Sequence, residues 1–187
     1  FEVFMDTIVI CTLTALTLLC GVEAGVDIAW GQSAGSELIA AAFSTVFGGK
    51  AGSLMRLDCR SGEYAYFPWN PEGYKLVLVN SCVKHELAGS PYNERRLSCE
   101  RVAAVINKHH PEVETLRDAN MALLDEVKAE VSEEDYKRAR YVIGEVDRVL
   151  AVCDALERGD YETVGQKMYE THYGLSQEYE VSCEELD

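Results

Sequence analysis

No lysine or arginine precedes Lys50, whereas all 17 fall between that residue and the end of a 187-residue chain. A soluble surface normally mixes both signs of charge, so the front of the chain obeys a different solvent rule from the remainder. Its charges are all acidic: Glu2, Asp6, Glu23, Asp27 and Glu37. The missing cations also argue against a signal peptide, whose opening region is basic. Two unlike segments therefore meet near Phe47–Lys50, and the chain divides into 1–47 and 48–187.

Other absences narrow the function. A net charge of −15 excludes nucleic acid as a partner held by the surface field, because phosphates are drawn to net positive patches. Seven cysteines occur without a Cys-x-x-Cys pair. That spacing suits neither a zinc site nor a disulfide framework, and reads as partly buried thiols in a reducing compartment such as the cytoplasm. No Gly-x-x-x-x-Gly-Lys-Ser/Thr loop is present to cradle a nucleotide. The chain opens on Phe1 and stops at Asp187 without an obvious cap, so both ends read as cut.

Within the front segment, Thr7 to Val22 is uncharged, and extension back to Val3 admits only Asp6. The extended run reaches the roughly 20 residues that cross a bilayer as a helix. Threonines 7, 12, 14 and 17 are tolerable there because a helical hydroxyl bonds back to a preceding carbonyl. Membrane association through residues 3–22 is one reading, and a buried helix or strand in a soluble core is the other, since periodicity does not separate them. The small residues beyond it (Ala24, Gly25, Gly31, Ala34 and Gly35 among them) suit close helix packing. The strings FMDTIVICTLTALTLL and AAFSTVFG resemble part of the sodium:alanine symporter family. One or two helices cannot form a transport path, so that resemblance implies an apolar helical segment and no transport.

From Ser53 to Ser81 three runs, SLMRLDCR, EYAYFPW and YKLVLVNS, are rich in aromatic and branched residues and separated by turn residues, which predicts three antiparallel strands. Helices come next. Ser90-Pro91 opens one that runs to His109 with Tyr92, Arg96, Cys99, Val102 or Ala103, and Ile106 in register. A short helix is expected around Met121–Val131. Ser132 with Asp135 opens a long helix, and Gly159 closes it. Its apolar stripe is Tyr136, Ala139, Ile143, Val146, Val149 or Leu150, Cys153 and Leu156. Asp160 caps the last helix, with Val164, Met168, His172, Leu175 and Tyr179 on one face. Strands before helices make this portion α+β.

The strings VNSCVKHELAGSPYNERRLSCE (79–100), ARYVIGEVDRVLAVCDALERGDY (139–161) and YETHYGLSQEYEVSCEELD (169–187) resemble the galactokinase family of the GHMP small-molecule kinases, and DCRS (58–61) fits it too. The resemblance implies a partial GHMP-kinase fold and ATP- and Mg²⁺-dependent phosphorylation of galactose to galactose 1-phosphate, a reaction of positioning and charge stabilisation. It places Tyr92 against the sugar and Lys84 near the reacting centre. It also exposes departures. The family's catalytic aspartate lies in a Met-Asp-Gln triplet shortly before a Phe-Gly pair; with Phe47-Gly48 taking that pair, Ala41 falls at the aspartate and Ala42 at the glutamine. No catalytic residue is expected here, because alanine accepts no proton. The family's sugar-gripping opening motif and its Gly/Ser-rich ATP loop have no counterpart either, so turnover is not expected. A symporter remnant with an acidic soluble tail, and a non-catalytic sugar-binding module, stand as alternatives.

Blander readings apply to other polar residues. Lys84-His85-Glu86 reads as a solvated loop, and His109-His110 with Glu112 and Glu114 as surface rather than metal ligands. His172 reads as a core or interhelix residue. Arg95-Arg96 and Lys137-Arg138-Arg140 read as solvated helix faces, and Asp58 and Arg60 as structural.

Overall fold

The computed structural model describes Val9–Ile10 and residues 50–58, 60–75, 77 and 91–187, with side chains described for all of these except 9–10 and 91–93. Three strands, β1 (Val9–Ile10), β2 (Ser53–Leu57) and β3 (Tyr64–Pro68), form an antiparallel sheet in that order. Helices α1 (Pro91–His109), α2 (Met121–Glu126), α3 (Glu133–Arg158) and α4 (Tyr161–Gln177) follow among the described residues, with 3-10 turns at Leu116–Asp118 and Lys128–Glu130.

Alternation sets the hairpin's register: Leu54 faces Phe67 and Leu57 faces Tyr64 across the pair. Leu54 and Phe67 pack with Val152, Cys153, Ala155 and Leu156 of α3 and Val164 of α4. Met55 and Leu57, on the opposite face, are buried as well, so this strand is covered on both sides. The turn is built by Asp58, whose carboxylate accepts the amides of Arg60 at 2.9 Å and Ser61 at 3.1 Å. Gly62 completes it at φ 73°, a left-handed conformation that suits glycine.

The third strand expected over 74–81 does not join this sheet among the described residues: Tyr74, Lys75 and Val77 lie outside strands, and the other positions lie outside the described residues. The sheet's remaining strand is β1, pairing Val9 with Leu57 and Ile10 with Arg56. Those two residues come from the stretch expected as an apolar helix; the rest of 1–47 lies outside the described residues.

The helical portion matches its caps. Ser132 accepts the Asp135 amide at 3.1 Å, and Asp160 accepts that of Thr163 at 3.0 Å. Gly159 ends α3 at φ 69°. α3 is the spine of the molecule. Its first half enters a core with Cys99, Val102, Ala103 and Ile106 of α1 and with Leu124 and Val127, while its second half meets the sheet and α4. On the face expected of α4, Val164, Leu175 and Tyr179 pack into the cores, and two positions depart. Met168 is exposed and His172 is half exposed beside Asp187, while Gly174 is buried against Tyr141 of α3.

Candidate functional site

Of the residues the sequence nominates, Tyr92 is the second residue of α1, and its side chain lies outside those described. Lys84 and Ala41 lie outside the described residues altogether, as does the Lys84-His85-Glu86 loop. Around the start of α1 the structure places a buried cationic network that the charge pattern had assigned to solvent.

Arg95, one turn into α1, is 7% exposed, and Arg138 of α3 is 6% exposed. These two correct the reading of Arg95-Arg96 and Lys137-Arg138-Arg140 as solvated faces, whereas the side chains of Lys137 and Arg140 remain well exposed, as expected. Arg95 donates through Nε to the Tyr179 carbonyl at 2.7 Å and through Nη2 to the Glu180 carbonyl. Burial, reinforced by the nearby charge of Arg138, lowers its pKa from the ordinary value. Arg138 donates to Ser98 Oγ at 2.8 Å and pairs with Glu134. Arg101 holds Asp135 with two bonds of 3.0 and 2.7 Å, which keeps that carboxyl below its usual range. Cys99, in the same layer, is buried, and desolvation pushes its thiol up to about 12. It is an inert packing residue at neutral pH.

A second network joins the hairpin turn to the 3-10 turn at Leu116–Asp118. Arg117 grips Asp58 with both terminal nitrogens, and Arg60 reaches Asp118 Oδ1 at 2.6 Å and Thr115 Oγ1 at 2.7 Å. Hydrogen bonding from Arg117 holds the Asp58 carboxyl far below the usual carboxylate range. The expected structural role of Asp58 and Arg60 stands, with partners 58 and 59 residues away.

At the far end of α1, His109 meets Glu130 at 2.9 Å and His110 meets Glu126 at 3.0 Å. Among the described residues no group of three or more His, Cys, Asp or Glu side chains is arranged to hold a metal ion. A groove of about 400 Å³ runs between α3 and α4, lined by Arg148, Tyr169, Glu170, Tyr173, Gly174 and Glu178. None of the nominated residues lines it.

The starts of α2, α3 and α4 are poor seats for the phosphates of a nucleoside triphosphate. The third amides of α2, α3 and α4 are taken by Asn120, Ser132 and Asp160. Glu133, Glu134 and Asp135 crowd the first turn of α3, where a phosphate would meet like charge. Among the described residues, no helix is long and apolar enough to cross a membrane.

Comparison with known proteins separates the two ends of the chain. Residues 1–58 match the model of the sodium:alanine symporter family. Over 139 residues, 74% of this chain, the sequence is 40% identical to galactokinase of Homo sapiens, of which the match covers 34%. Galactokinase of Thermotoga maritima is 40% identical over 145 residues, 78% of this chain and 39% of that protein. The solved structure of Lactococcus lactis galactokinase complexed with galactose superposes with a TM-score of 0.66 at 26% identity, covering 74% of this chain and 36% of that one. Most of the chain is thus homologous to galactokinases, yet it spans between 34% and 39% of the length of these curated relatives. A match of 139 residues in a chain of 187 has no room to start beyond β2. The two matches therefore share the strand Ser53–Leu57, and the symporter-like one runs through the boundary expected at Phe47–Lys50.

Proposed function

We propose that residues 48–187 are one part of a sugar-kinase domain, with ATP- and Mg²⁺-dependent phosphorylation of galactose to galactose 1-phosphate as the inherited reaction, and that this chain does not perform it. The galactokinase likeness over nearly three quarters of the chain is the observation that carries the reading. In this reading Tyr92, at the start of α1, and Lys84 belong to the sugar side of the pocket. Ala41 stands where the proton acceptor is expected, and loss of such a base typically costs about 10²–10⁴ in rate. The acidic, already capped helix starts support the absence of a phosphate cradle among the described residues. What the chain retains is a sugar-facing wall and its helical support.

The test is a pair of calorimetric titrations on the full chain. Galactose is expected to bind weakly and to lose most of that binding in Tyr92→Phe, because one hydroxyl hydrogen bond contributes about 1 kcal/mol net. ATP with Mg²⁺ is expected to give no binding heat. ATP affinity comparable to that of an ordinary kinase would contradict the reading.

The same reading places the chain in the cytoplasm, away from the membrane. Pairing of Val9 and Ile10 with β2 supports this, since those two residues lie in the run that would otherwise cross the bilayer. Fractionation of expressing cells tests it: recovery only with detergent would favour the membrane alternative.

A further inference from the structure

Arg95 lies three residues after Tyr92 on α1, which places the two on one helical face. Its guanidinium is buried, and its bonds to Tyr179 and Glu180 end on main-chain carbonyls rather than on carboxylates. Burying a charge is costly without compensation. Bonds to carbonyls respond to where the acceptor backbone lies, and the nearby charge of Glu180 favours the cation as well. The chain it grips is unusual. Glu180 takes φ 58°, the left-handed region that residues bearing a side chain rarely adopt. That turn sends the tail back along α4, with the Tyr179 amide on the Gly174 carbonyl at 2.8 Å and the Val181 amide on that of Leu175 at 2.9 Å. Asp187 fastens the far end, accepting from Ser176 at 3.1 Å and Ser182 at 2.8 Å. The tail is thus clipped at both ends, and the inner clip springs from the helix that begins with the proposed sugar contact.

We propose that Arg95 is a positioning residue that couples the first turns of α1 to the segment Tyr179–Asp187, so that galactose at Tyr92 and the folded-back tail stabilise each other. The inference rests on the sugar-wall reading of Tyr92. Coupling of this kind is reciprocal: whatever galactose does for the tail, the tail does for galactose.

Hydrogen exchange of the tail amides, followed in the full chain with and without saturating galactose, tests it. Galactose should slow exchange at residues 179–181 about fivefold or more in the wild type, within the range usual for coupled sites, and should not do so in Tyr92→Phe. Arg95→Lys keeps the charge but not the two-pronged geometry; it should weaken galactose binding by a similar factor and abolish the galactose effect on the tail. Arg95→Met tests the same point more severely, and the lysine variant decides should the methionine variant fail to fold. Galactose binding with unchanged tail exchange would overturn the coupling while leaving the sugar wall intact. No galactose binding by the wild-type chain would remove the sugar wall and the coupling with it.

Discussion

The backbone of Gly174 in α4 lies directly against the ring of Tyr141 in α3: a methyl group added at Gly174 would sit 2.5 Å from both Cδ2 and Cε2 of that ring. Tyr141 is 2% exposed, so the ring has nowhere to retreat. This contact sets how closely the last two helices approach and which face of α4 turns inward.

Gly174→Ala should therefore destabilise the fold by about 1–3 kcal/mol through overpacking, despite alanine's better helix propensity. Thermal unfolding measures it. Tyr141→Phe should go the other way or be neutral: the Tyr141 hydroxyl is buried with no hydrogen-bond partner among the described residues, and deleting an unsatisfied polar group relieves its desolvation.

Asp58 titrates far lower in the folded chain than in an unfolded one because Arg117 binds its charged form. Such a group favours the folded state above its unfolded pKa of about 4, and that contribution drains away as pH falls toward the folded value. Asp118 and Asp135, also lowered, act in the same direction. Stability measured in denaturant should hold steady near neutrality and fall from about pH 4 downward, and Asp58→Asn should flatten part of that fall. At neutral pH the same substitution should cost about 1–3 kcal/mol, because it removes the charge-assisted, two-nitrogen grip between Arg117 and Asp58.

Helix starts offer a simpler check. Ser132→Ala and Asp160→Ala should each lower stability by about 1 kcal/mol, since each removes the acceptor of a first-turn amide. Gly159→Ala should cost about 1 kcal/mol more than an ordinary helix-end change, because alanine resists the left-handed conformation held there. Urea melts of the three variants decide these values.

Local signals explain how much could be read from the residues. Ser132, Asp160 and Gly159 announce their helix ends by chemistry acting within three or four positions, and the alternation in SLMRL and YAYFP announces the hairpin. The features that escaped were set by distant partners. Arg95 and Arg138 look solvated beside the acids around them, yet their partners include carbonyls beyond α4 and Ser98 of α1. On α4 the stripe marks Val164, Leu175 and Tyr179 correctly, but Met168 is exposed, and the close approach at Gly174 carries no apolar side chain to announce it. β2's partner Val9–Ile10 lies more than forty residues upstream in sequence, a pairing no local pattern encodes. Around the candidate site, the helix bearing Tyr92 was legible from Ser-Pro, whereas the clip at Arg95 was not.

The most direct measurement is formation of galactose 1-phosphate by the purified full chain, given ATP, Mg²⁺ and galactose and monitored by phosphorus NMR. No product above the enzyme-free background is expected under the proposed reading, in which Ala41 stands at the position of the proton acceptor and alanine accepts no proton. Steady accumulation of galactose 1-phosphate would contradict that and show that the chain is a working kinase.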